Sequence, residues 1–217
     1  MPTEGVLKFT VSAQERGGQL QPALWQELEG WRSRLWRQGL VGHDAALNLG
    51  YGNVSQRRSG GGFVITGSQT GRLPVLSGAD YVLVTTCDFA ANAVTCAGLG
   101  LPSSESLSHG AFYVRPEVGA VIHVHCRGLW QFELAAADAG NGGIATTAAD
   151  VAYGSAALYR ALMALSSGTA PAAPDLPLLV VTRGHQDGIF VAGRNLAEAY
   201  GLLMGRLSAA GLHGGEA

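Results

Sequence analysis

The chain has 217 residues, of which 47% are hydrophobic and only 14% charged, with a formal net charge of −2 and a pI near 6.3. That balance provides no electrostatic drive toward nucleic acid or an anionic membrane. No apolar run reaches the roughly 18 residues of a membrane span. Charged content sits below the roughly 25% of an average soluble protein, which fits either a surface partly covered by other subunits or plain Gly and Ala richness.

The length suits one domain with a substantial core. Residues 1–21 read as an N-terminal arm without a clear period, and 22–217 as the domain proper. Glu4, Lys8, Glu15 and Arg16 interrupt the start of the chain, so no signal peptide is expected there. From Pro22 to Gly39, Leu24, Leu28, Trp31 and Leu35 recur at helical spacing, with Glu27, Glu29, Arg32 and Arg34 between them. Pro22 suits the first turn of that helix and Gly39 its stop. Asn48–Ser55 is a Gly-rich turn entering a strand. Gly62–Ser68, Asp80–Thr86 and Ala93–Cys96 read as further strands.

Ser103-Ser104-Glu105 is expected to open a helix with serine caps that runs to about Arg115, where Pro116 ends it. Gly119–His125 is a strand, Leu129–Ala137 a helix, Gly140–Ala148 irregular or a short strand, and Ser155–Leu165 a helix. A loop rich in Ser, Gly, Ala and Pro spans 166–177. A hairpin of Leu178–Thr182 and Gly188–Val191 follows, then a helix over Asn195–Ala209 and a Gly-rich tail over 211–217. Strands and helices both abound, which predicts an α/β fold with a mainly antiparallel central sheet.

The most informative stretch is Val121-Ile122-His123-Val124-His125. Side chains alternate along a strand, so Ile122 and Val124 would face a core while both imidazoles face one common point. Two imidazoles on a rigid strand begin a transition-metal site, and His185 and Glu105 are candidates to complete it. Cys87, Cys96 and Cys126 are odd in number and form no Cys-x-x-Cys pair, so they read as reduced thiols of a cytoplasmic protein. Alternation points Cys126 away from the histidines.

Four segments follow one another: Gly52-Asn53-Val54-Ser55; Ile65-Thr66-Gly67-Ser68; Pro102-Ser103-Ser104-Glu105 with His109; and His123-Val124-His125 followed by Gly184-His185. Each is weak alone. In this order and spacing, over about Trp25 to Leu207, they resemble the class II aldolase/adducin family, which contains L-fuculose-phosphate aldolase and L-ribulose-5-phosphate 4-epimerase. The resemblance implies a three-layer α/β/α fold around a central, mainly antiparallel sheet.

It also implies that His123, His125, His185 and Glu105 hold a divalent metal, zinc first and Mn2+, Co2+ or Fe2+ otherwise. Gly52, Asn53, Thr66, Gly67, Ser103 and Ser104 match the positions that cradle a substrate phosphate, a role suited to backbone N–H groups, glycines and small hydroxyls. The activity implied is cleavage or formation of a C–C bond in a small phosphorylated keto-sugar, through a metal-stabilised enediolate with Glu105 as acid/base. Members often form homotetramers with active sites between subunits. His109, one turn beyond Glu105, is expected to be structural and within hydrogen-bonding reach of it.

The family pattern breaks at the second acid/base. Thr146–Gly154 resembles the epimerase version of its segment, with Asp150 on the epimerase's catalytic acid, whereas the epimerase usually carries Asp where this chain has Glu105. The late tyrosine, Tyr200, lies within a helix as a core residue, and His213 in the tail is a candidate proton donor. Gly71-Arg72-Leu73 and Arg183-Gly184-His185 also resemble methylthioribulose-phosphate dehydratases of the same fold. Epimerisation and dehydration therefore stand beside aldol cleavage, and an adducin-like interaction module stands as the non-enzymatic alternative.

Overall fold

Pro22 at the first turn and an apolar stripe ending near Leu35 produce helix α1 (Pro22–Arg37), which stops as Gly39 turns to positive φ. The computed structural model describes residues 7–140, 144–167 and 174–212. Ahead of α1 lies strand β1 (Thr10–Glu15), and after it come β2 (Gly42–Asp44), β3 (Leu49–Tyr51), β4 (Asn53–Arg57) and β5 (Phe63–Thr66). Next are β6 (Tyr81–Asp88), β7 (Ala93–Ala97), α2 (Ser106–Phe112), β8 (Ala120–His125) and α3 (Arg127–Asp138). The chain continues through β9 (Ala145–Thr146), α4 (Ala156–Ser167), β10 (Leu178–Val181), β11 (Gly188–Gly193) and α5 (Leu196–Ala209).

Among the described residues, nine strands form one sheet in the order β1-β7-β6-β5-β4-β8-β11-β10-β9, while β2 and β3 pair separately. The two outermost pairings, β1 with β7 and β10 with β9, are parallel, and those between them are antiparallel. Leu28 and Leu35 of α1, Leu129 of α3 and Leu203 of α5 cover one face of the sheet. Phe112 of α2 and Leu158 and Leu162 of α4 cover the other. The fold is thus a three-layer α/β/α arrangement.

Two local expectations change. Thr10–Glu15, in the stretch without a clear period, is an edge strand whose faces are mostly exposed on both sides, so no alternation marks it. The helix expected from Ser103 begins at Ser106, with Glu105 at its N-cap and no side-chain cap. Among the described residues, no helix is long and apolar enough to cross a membrane.

Candidate metal centre and anion cleft

Alternation along β8 decides the site. Ile122 and Val124 enter the core under α1, α3 and α5, while Val121 faces the α2 and α4 side. His123 and His125 share the parity of Val121 and so face that second side, near the C-terminal end of the strand. Cys126, beyond them, is buried in the opposite core.

His185 arrives from the turn joining β10 to β11. The Thr182 hydroxyl approaches the His185 and Gly188 carbonyls at 3.0 and 2.7 Å, and the Gly188 N–H donates to the His185 carbonyl at 3.1 Å. At Gly184 a Cβ would collide with the Val151 carbonyl oxygen, so only glycine lets the turn settle against the 149–151 backbone.

The three rings converge. Their centroids lie 5.0 Å apart for His123 and His125, 5.2 Å for His123 and His185, and 4.7 Å for His125 and His185. One ligating atom from each lies within 4.8 Å of the other two. His123 is held from two sides: its Nδ1–H donates to the Ile189 carbonyl at 3.0 Å, and its ring stacks on Phe190, 4.1 Å away. A carbonyl can only accept, so Nδ1 carries the hydrogen and Nε2 keeps its lone pair.

Burial, with His125, His185 and His109 nearby, pushes His123 well below the usual imidazole range. It is therefore neutral, the form that ligates metal. A convergent set of nitrogen donors, two of them buried and one half-buried, fits a borderline cation such as zinc. Glu105, buried at 1% exposure, stands outside the 4.8 Å grouping.

Beside the histidines lies a small polar cleft. Gly52, Asn53, Gly67, Ser103 and Ser104 line it, joined by Ser68, Thr70 and Gly71, which sequence reasoning did not assign to a phosphate site. Asn53 is the direct strand partner of His123, so the cleft and the histidines occupy neighbouring strands. Gly52 has φ +70°, and a Cβ there would press on the Leu40 and His123 carbonyls at 3.0 Å. Thr66 does not line the cleft; its hydroxyl is buried and accepts from the Val54 N–H at 3.3 Å.

The cleft wall is held from behind by α1. Arg32, expected among the polar positions of that helix, is fully buried and donates to the Thr70 and Pro74 carbonyls, both at 3.1 Å. Trp36 Nε1–H donates to the Gly71 carbonyl at 2.9 Å. An arginine among apolar spacings was the available signal, but periodicity alone assigns such a residue to solvent.

His109 has a partner other than the expected one. Its Nδ1 lies 2.6 Å from Ser55 Oγ, which also lies 2.7 Å from the Tyr113 hydroxyl. Burial pushes His109 down to about 3. An imidazole that stays neutral when folded but titrates near its ordinary value when unfolded leaves the unfolded state holding more protons below about pH 6.5. Stability should therefore fall as pH drops from about 6.5 toward 3, by up to about 1.4 kcal/mol per pH unit from this group. Urea unfolding at pH 7, 6 and 5 checks it: His109→Gln should show a shallower pH slope than the parent.

Tyr153 belongs to the site although the sequence marked it only as part of a motif. Its hydroxyl and that of Ser104 share a hydrogen bond at 2.6 Å, and its ring meets His185 at 4.6 Å between centroids. Asp150, three residues earlier, is exposed. Tyr200 is half-buried against Trp31, with ring centroids 5.2 Å apart. His213 lies outside the described residues.

The model of the class II aldolase and adducin N-terminal domain matches residues 34–207. No curated protein matches the chain. Among solved structures, an L-fuculose-1-phosphate aldolase from Thermus thermophilus superposes with a TM-score of 0.60 at 22% identity, covering 88% of this chain and 92% of that one. A sugar-phosphate aldolase from Thermotoga maritima superposes with a TM-score of 0.60 at 19% identity, covering 86% and 91%. YgbL of Escherichia coli, a candidate aldolase/epimerase/decarboxylase, reaches 0.63 at 19% identity, covering 87% of each chain. These likenesses confirm the architecture, and the match over most of the length settles the kinship: the chain belongs to the class II aldolase and adducin N-terminal domain family.

Proposed function

We propose that the protein is a divalent-metal-dependent lyase that cleaves or forms a C–C bond in a small phosphorylated keto-sugar. The observation that carries this reading is adjacency: Asn53 of the small-residue cleft pairs directly with His123 of the histidine cluster. A molecule with a phosphate at one end and a hydroxy-ketone at the other matches that layout. A structural or interaction module has no need of three convergent histidines beside a polar cleft, since burying polar groups without use costs stability.

His123, His125 and His185 would hold the cation, zinc in first place, which when bound supplies Lewis-acid polarisation of a carbonyl. The chain's own groups do the rest. Backbone N–H groups and the hydroxyls of Ser103 and Ser104 bind the phosphate, with Asn53 beside them. Glu105, buried next to those serines, takes and returns the proton at the reacting carbon, a role that burial favours by excluding water. Thr66 supports the cleft from the sheet rather than by contact. The same proposal includes a cytoplasmic location, from the three cysteines read as reduced thiols, and a homotetramer, as the family resemblance implies.

Asp150 is proposed as the second acid/base, exposed on the loop that leads to Tyr153. Asp150→Asn is expected to lower kcat about tenfold or more while zinc content stays at the parental level. An unchanged kcat returns Asp150 to the loop. Because its segment resembles the epimerase version, 4-epimerisation is the second reading. The test of function begins with elemental analysis before and after chelation, which should find about one metal ion per chain. Product analysis with phosphorylated ketoses follows: a phosphorylated ketone plus an aldehyde supports the lyase, an epimer or a dehydrated product replaces it, and absence of metal and turnover ends it.

A further inference from the structure

Tyr153 lies where the two halves of the site meet. Its hydroxyl shares a 2.6 Å hydrogen bond with Ser104, which lines the anion cleft. Its ring packs on His185, a member of the histidine cluster, at a centroid distance of 4.6 Å. Lys8, from the segment before β1, seats it: Nζ donates to the Tyr153 carbonyl at 2.7 Å and lies 4.6 Å from the ring centroid. The side chain is buried, at 6% exposure, so it cannot relocate without moving its neighbours.

We propose that Tyr153 is a positioning residue that couples metal binding at the histidine cluster to anion binding in the cleft. The inference rests on the reading above that these two places bind a cation and a phosphate. Ordering His185 on a cation restrains the Tyr153 ring, and the phenol then holds the Ser104 hydroxyl in one orientation at the cleft. Ordering one end lowers the cost of ordering the other, so each ligand tightens the other. Charge attraction between cation and phosphate adds to this but does not pass through the phenol, and salt screens it.

The experiment measures the Kd of inorganic phosphate by calorimetry, for metal-free and zinc-loaded protein, at two salt concentrations. The parent should bind phosphate more tightly when zinc is present. In Tyr153→Phe, which keeps the ring and removes only the hydroxyl, that zinc-dependent gain should shrink about fivefold, the scale of one hydrogen bond. Zinc content should be unchanged and the salt-dependent part retained. Ser104→Ala removes the other end of the same bond and should lose the same gain, which keeps the test open if Tyr153→Phe folds poorly. An undiminished zinc-dependent gain in either folded variant overturns the proposal. A parent that binds neither zinc nor phosphate overturns the functional reading itself, which is a different result.

Discussion

His123→Ala is expected to weaken zinc binding by about two to three orders of magnitude, the share of one ligand in a structural-strength zinc site. Aldol turnover should fall below detection with it. The size of the effect follows from how His123 is held. It is 1% exposed, hydrogen-bonded to Ile189 through Nδ1 and stacked on Phe190, so its Nε2 is presented with little freedom left to lose. His125 is half-buried, and His185 is buried on the turn between β10 and β11. Competition titration with a chelator of known affinity measures the loss. Full activity from a demonstrably metal-free His123→Ala protein would rule out the lyase mechanism.

Glu105→Gln is expected to lower kcat by about 10² to 10⁴, the usual worth of a positioned general acid/base, while zinc stoichiometry holds. The substitution keeps volume and hydrogen-bonding capacity in a pocket where Glu105 is 1% exposed, so the fold should tolerate it. It also separates two roles that the family resemblance assigns to this residue. Glu105 lies outside the 4.8 Å histidine grouping, so ligation and proton transfer are told apart by separate readouts. Solvent-deuterium exchange at the carbon next to the ketone reads the proton step directly. Loss of zinc together with exchange would make Glu105 chiefly a ligand, and unchanged exchange would remove it from the mechanism.

Much of the core site was legible along the chain because its geometry is local. The His123 and His125 side chains share a face through strand alternation alone, and the same parity buries Ile122 and Val124 behind them. Helix α1 followed from period and end signals and α5 from period, and the structure adds Asn195 as the N-cap of α5, accepting from the Glu198 N–H. The small-residue motifs around Gly52, Gly67 and Ser103, in order with His123-Val124-His125 and Gly184-His185, indicated the family. Where the reading slipped, the competing forces were not local. At Ser103–Glu105 an antiparallel bridge from Gly67 to Pro102 holds the chain out of the helix, so Ser103 cannot cap it.

The sequence by itself thus determined the histidine pair, the family and the layering of helices on the sheet. Each of these is a matter of periodicity or of motif order along one strand of text. Only the tertiary structure decided that Arg32 lies buried behind the cleft, that Ser55 rather than Glu105 holds His109, and that Thr66 faces the sheet. It alone brought Tyr153 and Lys8 to the site. The physical reason is common to all of them. A buried polar group must find a hydrogen-bond partner, but nothing in its own neighbourhood along the chain specifies which one, and that choice is made when distant segments pack together.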